Sequence, residues 1–313
     1  MLNLNRLRML REIANHGTIA AAAAALLMSP SAISQQMAVL EREAGALLLE
    51  REGRGVRLTD AGISLVANTE RILAEMERAE AGLATHARGI GGRVRISAFP
   101  TAARAILVPA LATLPEGHPN LHLSMVDLEP EEAMPALKAR EIDIALAYEW
   151  SLLPSLEDPG IEREKLLSEN VYVMLPQDHP LAARESAIAI AELAHDNWIV
   201  GRDATSLLDI VTAAALHAGF KPRADIYSMD FNVIIAAVGA GLGVALGPAL
   251  ALTPTPPGIA IRKIADRQLT RLTWTNIRRG SGGAPGISVV LQALRVAAEQ
   301  AESVLRDSTA QIG

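Results

Sequence analysis

Six consecutive alanines, Ala20–Ala25, are followed within a few residues by Ser29-Pro30, and this pair of signals constrains the chain more than any other. Alanine has the highest helix propensity and very little bulk, so Thr18 is expected to cap a helix from Ile19 to Leu27 that a neighbour can approach closely. Ser29-Pro30 then starts another helix at once, with a hydroxyl at the N-cap and proline at the first helical position, where its missing N–H costs nothing. Only Leu27, Met28 and Ser29 separate the two.

Upstream, Leu4, Leu7, Met9, Leu10 and Ile13 recur at helical spacing and stop at His16-Gly17, giving a first helix Leu4 to Asn15. The third helix is expected to reach about Ala44. On a helical wheel Ile33, Met37, Leu40 and Ala44 form its core face, and Ser31, Gln35, Ala38 and Arg42 fall opposite. Two short helices on a tight joint, the second offering Ser and Gln from its first turns, suit a helix-turn-helix reader of the major groove. Gln pairs with adenine, Ser with several bases, and neither repels phosphate. A small helical bundle with a polar surface fits the same periodicity. The segment that follows favours DNA: Gly45 ends the third helix, and Glu50 to Leu58 supplies a glycine-containing hairpin carrying Arg51, Arg54 and Arg57, a wing for the phosphate backbone.

Gly17-Thr18-Ile19, Ala22-Ala23, Leu26, Ser29-Pro30-Ser31-Ala32-Ile33-Ser34, Gln36, Leu40-Glu41, Gly45, Leu48-Leu49, Arg51, Arg54 and Leu58-Thr59-Asp60-Ala61-Gly62 together resemble, without a gap, the winged helix-turn-helix of LysR-type transcriptional regulators. Ile19 and Leu49 stand where that family commonly has Phe, and Ala24 and Ala25 replace surface positions that are usually charged. The resemblance implies double-stranded promoter DNA as a partner. It places Ser31, Ser34 and Gln35 near the bases, Thr18, Arg51 and Arg54 at the backbone, and Ser29 and Ala32 in the same surface. It also implies a homodimer that often assembles further as a dimer of dimers.

Thr59 can cap a fourth helix reaching Thr85, with heptad positions at Leu65, Ile72 and Ala79 and at Thr69, Met76 and Leu83. Flanked by charges, this narrow stripe suits a two-stranded dimer seam, although a helix packed on its own domain fits too. Gly89, Gly91 and Gly92 then break the pattern before strand-like Val94 to Ala98. The expected division is therefore a winged helix-turn-helix at 1–60, a linker helix at 61–88 and an effector domain at 89–313. Within the last, one lobe takes about 93–165 with 270–305, and the other 166–269.

From Val94 onward short apolar strands alternate with helices: Val94 to Ala98, Arg104 to Leu114, Leu121 to Asp127, Glu131 to Ala139 and Ile142 to Ala147. A second series follows with Val171 to Leu175, Trp198 to Gly201, Ser206 to Ala218, Ile226 to Met229, Val233 to Val238 and Val244 to Gly247; Arg271 to Ile277 and Ile287 to Leu305 return to the first lobe. The expectation is a mostly parallel α/β fold in two lobes joined by two crossings, like a periplasmic binding protein, with a small-molecule cleft between them. Thr101, after Phe99-Pro100, is expected to cap a helix whose free N–H groups suit an anion. Position 101 is similar to a hydroxyl that contacts effectors in the family. Across the cleft Gly201, Arg202 and Thr205 follow a strand end, Arg202 being placed to clamp a carboxylate, and Phe99, Trp150 and Phe231 are candidate lining residues, although core packing is the commoner fate of such side chains.

Charge and composition narrow the classes. Residues 1–88 hold ten Arg against ten Asp or Glu, and the remainder carries the whole net charge of −6. No Cys is present, which removes thiol chemistry and thiolate zinc sites and suits a reducing compartment; without a signal-peptide pattern the cytoplasm is expected. Asn232 to Ile261 is uncharged and long enough to span a membrane, but its glycines and prolines break any helix there. No metalloprotease, serine-hydrolase or phosphate-loop motif occurs, and no cofactor or metal is expected. The opposing class is a solute-binding protein or enzyme that merely carries a helical N-terminal domain.

Overall fold

The computed structural model describes residues 1–52, 55–85, 90–114, 117–155, 157–265 and 269–309. Arg54 and Gly89 lie outside the described residues. Helix α1 (Leu4–His16) starts under Asn3, whose side chain accepts from Asn5 N and Arg6 N, and closes at Gly17 with φ +69°. Helix α2 (Ile19–Ala25) ends two residues before the expected Leu27. Leu27 itself is the cause: at φ +54° and pointing into solvent it turns the chain, so that α3 (Pro30–Ala44) leaves at 107° to α2. Leu10, Ile13, Ala22, Ala23, Ile33, Met37, Leu40 and Leu48 form one core beneath these helices and the antiparallel hairpin β1 (Leu49–Glu52) and β2 (Gly55–Leu58).

The 26-residue helix α4 (Asp60–Thr85) grows straight out of this hairpin. The Thr59 hydroxyl donates to Leu47 O at 2.7 Å and accepts from Gly62 N at 3.0 Å. A Cβ on Gly62 would stand 2.2 Å from Leu48 O, so the first turn can lie against the hairpin backbone only because residue 62 is glycine. The expected seam divides. Thr69 is fully buried with its hydroxyl on Leu65 O, and Leu65 packs on the N-terminal core, whereas Ile72, Ala79 and Leu83 remain exposed and Met76 half-buried. Leu73, Ala74, Glu77 and Ala81 take the inner face.

Beyond the linker, β3 (Gly91–Ala98) pairs in parallel with β4 (Asn120–Asp127) and β5 (Ile144–Trp150). Between β3 and β4 lie α5 (Pro100–Ala102), a π turn at Ala103–Leu107 and α6 (Val108–Ala112); α7 (Pro130–Lys138) covers the other face. The next strand, β6 (Ile161–Pro176), is 16 residues long, not the short Val171 to Leu175 its apolar run suggests. Its first half pairs antiparallel with β11 (Thr270–Arg278), and its second half with β9 (Ala245–Pro248) and β10 (Ile259–Arg262). One strand thus runs through both lobes, and the sheet is mixed where a mostly parallel one was expected, because β6, β9, β10 and β11 all pair antiparallel.

The second lobe adds the parallel pair β7 (Asn197–Val200) and β8 (Arg223–Tyr227), with α8 (Ser206–His217) and α9 (Phe231–Gly239). Helix α10 (Pro285–Thr309) returns to pack on the first lobe, and β11 pairs with β5, as the spacing suggested. The uncharged stretch after Asn232 resolves into α9, β9 and β10 around buried Ile234, Val238, Leu246 and Leu250. Among the described residues no single helix is long and apolar enough to cross a membrane; the bent pair that passes on composition is α2 with α3.

Candidate nucleic-acid interface and effector cleft

The helix pair α2 and α3 presents one polar edge. The Thr18 hydroxyl accepts from Ala21 N at 3.1 Å, and the Ser29 hydroxyl accepts from Ala32 N at 3.2 Å, so both caps are spent on the backbone as the sequence indicated. Ser29 Oγ and Ser31 Oγ are 3.1 Å apart, and the Ser34 hydroxyl donates to Pro30 O at 2.9 Å. Ser31, Ser34 and Gln35 are exposed along the start of α3, with Ala32 half-buried behind them. Arg51 is exposed on β1, while Arg57 on β2 pairs with Glu50 at 2.5 Å. Glu41, which the sequence marks only as part of the family motif, has a structural role: its carboxylate accepts from Leu48 N and Leu49 N and so fixes the hairpin on α3.

The interlobe site differs more. Phe99, not Thr101, is the N-cap of α5, because Pro100 takes the first helical position and leaves Thr101 inside the turn. The Thr101 hydroxyl is not free: it accepts a hydrogen bond of 2.8 Å from Arg271 Nη2. Arg271, which the sequence did not single out, is 1% exposed and bonds Glu169 on β6 at 2.8 Å, and Glu169 in turn accepts from Leu250 N of the second lobe at 2.6 Å. Arg104 donates to Leu250 O at 2.5 Å. The Arg271 guanidinium lies 4.8, 5.1 and 5.7 Å from the ring centres of Phe99, Tyr148 and Trp150, which themselves meet edge to face. A cation thus already occupies the space beside Phe99 and Trp150, two of the side chains expected to line the cavity. No sequence signal marks this pair, since a buried Arg at a strand start looks like any surface charge.

On the facing lobe, Gly201 is required by packing, since a Cβ would stand 2.7 Å from Thr205 Oγ1 and 2.8 Å from Leu207 Cβ. The Thr205 hydroxyl donates to Arg202 O at 2.6 Å and makes no cap on α8. Arg202 itself is exposed, and Phe231 is half-buried against the large core. The N-terminus of α8 meets a carboxylate from the opposite lobe instead: Ser206 N donates to Glu131 of α7 at 2.8 Å. Beside it the Tyr148 hydroxyl donates to Glu129 at 3.0 Å, and burial pushes the Glu129 carboxyl up to about 7. Asp127 is raised as well, by burial and then by the charges of Glu132 and of Asp230 on the other lobe.

A cavity of about 1160 Å³ opens from Glu131, Tyr148, Trp150 and Ser206 along the outer face of the first lobe to Arg11 and Leu26 of the helix-turn-helix domain. Its wall carries the ion pairs that join the domains. Arg278 bonds Glu77 of α4 at 2.8 Å, and Arg140 reaches the same carboxylate at 2.7 Å. Among the described residues no group of His, Asp or Glu is arranged to hold a metal ion.

A winged helix-turn-helix joined by a long helix to a two-lobed α/β domain is the architecture that comparison with known proteins recovers. The bacterial regulatory helix-turn-helix profile of the lysR family matches residues 4–63, and the LysR substrate binding domain profile matches residues 87–299. The chain belongs to the LysR family of transcriptional regulators. Over 255 residues it is 31% identical to the uncharacterized HTH-type transcriptional regulator YnfL of Escherichia coli, covering 79% of this chain and 82% of that protein. It is 27% identical over 262 residues to the transcriptional dual regulator GltC of Bacillus subtilis, covering 83% and 85%. Among solved structures, the Corynebacterium glutamicum OxyR C206 mutant aligns with a TM-score of 0.59 at 26% identity, covering 99% of this chain and 95% of that one. CbnR, a LysR family transcriptional regulator, aligns at 0.53 and 25%, covering 94% and 100%. This LysR-family chain therefore carries a DNA-binding helix-turn-helix domain and a substrate-binding domain, and the enzyme reading falls away.

Proposed function

We propose that this chain is a cytoplasmic, homodimeric regulator that reads a promoter with the exposed edge of α3 and is switched by a small molecule held between its two lobes. The observation that carries the reading is the 107° helix pair with uncharged Ser31, Ser34 and Gln35 at the start of its second helix. In this reading Ser31, Ser34 and Gln35 contact base edges, Thr18, Arg51 and Arg54 contact the phosphate backbone, and Ser29 and Ala32 belong to the same surface. The outward positions of α4, Ile72, Met76 and Leu83, form the seam with a second copy, Leu65 bracing it from the N-terminal core; two such dimers assemble further. Residues 1–60, 61–88 and 89–313 then act as reader, linker and sensor. The effector must favour one geometry of the linker over another, since equal affinity for both would switch nothing.

The test is fluorescence anisotropy of the purified protein on labelled DNA from just upstream of its own gene, with excess unrelated competitor and at two salt concentrations. Binding that survives competitor and weakens as salt rises supports the reading. Loss to competitor on this and every other promoter fragment tried would remove it.

A further inference from the structure

Helix α7 ends in a turn that suits glycine and is occupied by arginine. Glu141 N donates to Ala136 O at 2.9 Å and Arg140 N to Leu137 O at 3.2 Å, a closing pattern that sets residue 140 in the left-handed region, and φ there is +63°. A Cβ makes that conformation costly, whereas glycine adopts it freely. Among the described residues only Leu27 and Ala204 share it without being glycine. Leu27 makes the turn between α2 and α3, and Ala204 lies two residues ahead of Ser206, where α8 meets Glu131. Strain of this kind persists where the surrounding contacts hold it in place.

What holds Arg140 is the linker. Its guanidinium reaches Glu77 at 2.7 Å and Glu80 at 3.1 Å, neighbours one turn apart on α4. The N-terminal domain opposes this contact: Arg8 of α1 is held below its usual value by burial and then by the positive charges of Arg140 and Arg11, with Glu77 and Glu80 acting the other way. Two carboxylates of the linker thus draw the end of α7 inward while a cation of α1 repels it. The contact is balanced, not locked.

The opposite end of α7 faces the cleft. Glu131 in its first turn accepts from Ser206 N of the second lobe at 2.8 Å, and Glu129 at its N-cap accepts from the Tyr148 hydroxyl at 3.0 Å. Between the two ends Ala133 and Leu137 are fully buried in the core that α7 shares with Ala145 of β5. A helix of nine residues is about 13 Å long, so one short rigid element touches the second lobe at one end and the linker at the other.

Resting on the effector-cleft reading above, we infer that α7 is the rod through which the second lobe positions the linker, and that Arg140 is the positioning residue at its far end. A movement of α8 against the first lobe shifts Glu131, and the shift reaches α4 through Arg140 on Glu77 and Glu80. An arginine where glycine would be relaxed exchanges local stability for that contact.

The experiment needs no effector. Arg140→Gly, Glu131→Ala and the double variant of the full-length protein are compared by urea midpoint and by hydrogen exchange of the backbone amides at 74–85. Arg140→Gly relaxes the turn as it removes the contact, so the midpoint is expected to hold or rise while these amides exchange about tenfold faster. Glu131→Ala is expected to speed the same amides at least about threefold when Arg140 is present and to add nothing in the Arg140→Gly background, although sites this far apart normally act additively. Unchanged exchange at 74–85 in Arg140→Gly, no effect of Glu131→Ala, an effect of equal size in both backgrounds, or a lowered midpoint with faster exchange throughout the first lobe each overturns the inference. DNA binding in the anisotropy assay is scored on the same preparations. If it stands while the exchange pattern fails, only the role of α7 is lost; if it fails while the pattern holds, the regulator reading goes and the link from cleft to linker remains.

Discussion

Arg278 on β11 donates to the Glu77 carboxylate of the linker helix at 2.8 Å, and the same guanidinium holds Leu137 O, Ile142 O and Asp143. One side chain therefore fixes α4, the end of α7 and the start of β5 together. Arg278→Ala leaves two largely buried carboxylates short of a partner and is expected to cost about 3 kcal/mol, read as a lowered urea midpoint. Arg278→Lys is expected to recover less than half of that, because a single ammonium cannot reproduce the fork.

Glu129 makes stability depend on pH. Its carboxyl ionises near about 7 in the folded chain against 4.5 ordinarily, so between those values the folded protein keeps a proton that the unfolded chain releases. Stability must then fall as pH rises through this window and level off above it. The loss is at most on the order of 3 kcal/mol. Glu129→Gln is expected to flatten the profile between about pH 5 and 7, measured by denaturation at several pH values; an unchanged slope would show that the carboxyl titrates elsewhere.

The N-terminal domain was legible because its signals are local. Thr18, Ser29-Pro30, Gly17 and Gly45 act on the residues next to them, and the structure differs by only the last turn of α2, where Leu27 adopts a left-handed backbone no propensity suggests. The lobed domain was legible in its alternation of elements but not in β6, whose first half carries four consecutive charged residues, Glu162 to Lys165, and so shows no strand-like apolar run. Arg271 and Glu169 were invisible for a different reason. They are 102 residues apart in sequence, and nothing local records that both will be buried against each other.

DNA contacts separate into two kinds of loss. Gln35→Ala is expected to cost about 1–3 kcal/mol on the specific site and little on competitor DNA. Arg51→Ala is expected to weaken both alike and lower the salt slope by about one. Anisotropy over a salt series distinguishes them, and identical behaviour of the two variants would contradict the assignment of roles.

The exposed side of α4 predicts the assembly. Ile72→Glu with Leu83→Glu places charge on two exposed side chains of α4, so the fold is expected to change by no more than about 0.5 kcal/mol per site. Light scattering after gel filtration is expected to show an assembly of half the mass of the unaltered protein's. An unchanged mass after both substitutions would locate the seam elsewhere.

Because Gly62 lets α4 rest directly on the hairpin backbone, the reader and the linker turn as one piece. A rod of 26 residues is about 39 Å long, so tilting it by about 10° at the sensor end sweeps the reader through about 7 Å, roughly two base-pair steps. The chain is geared. A tilt of α4 against Arg278 arrives at the groove magnified by the length of the helix.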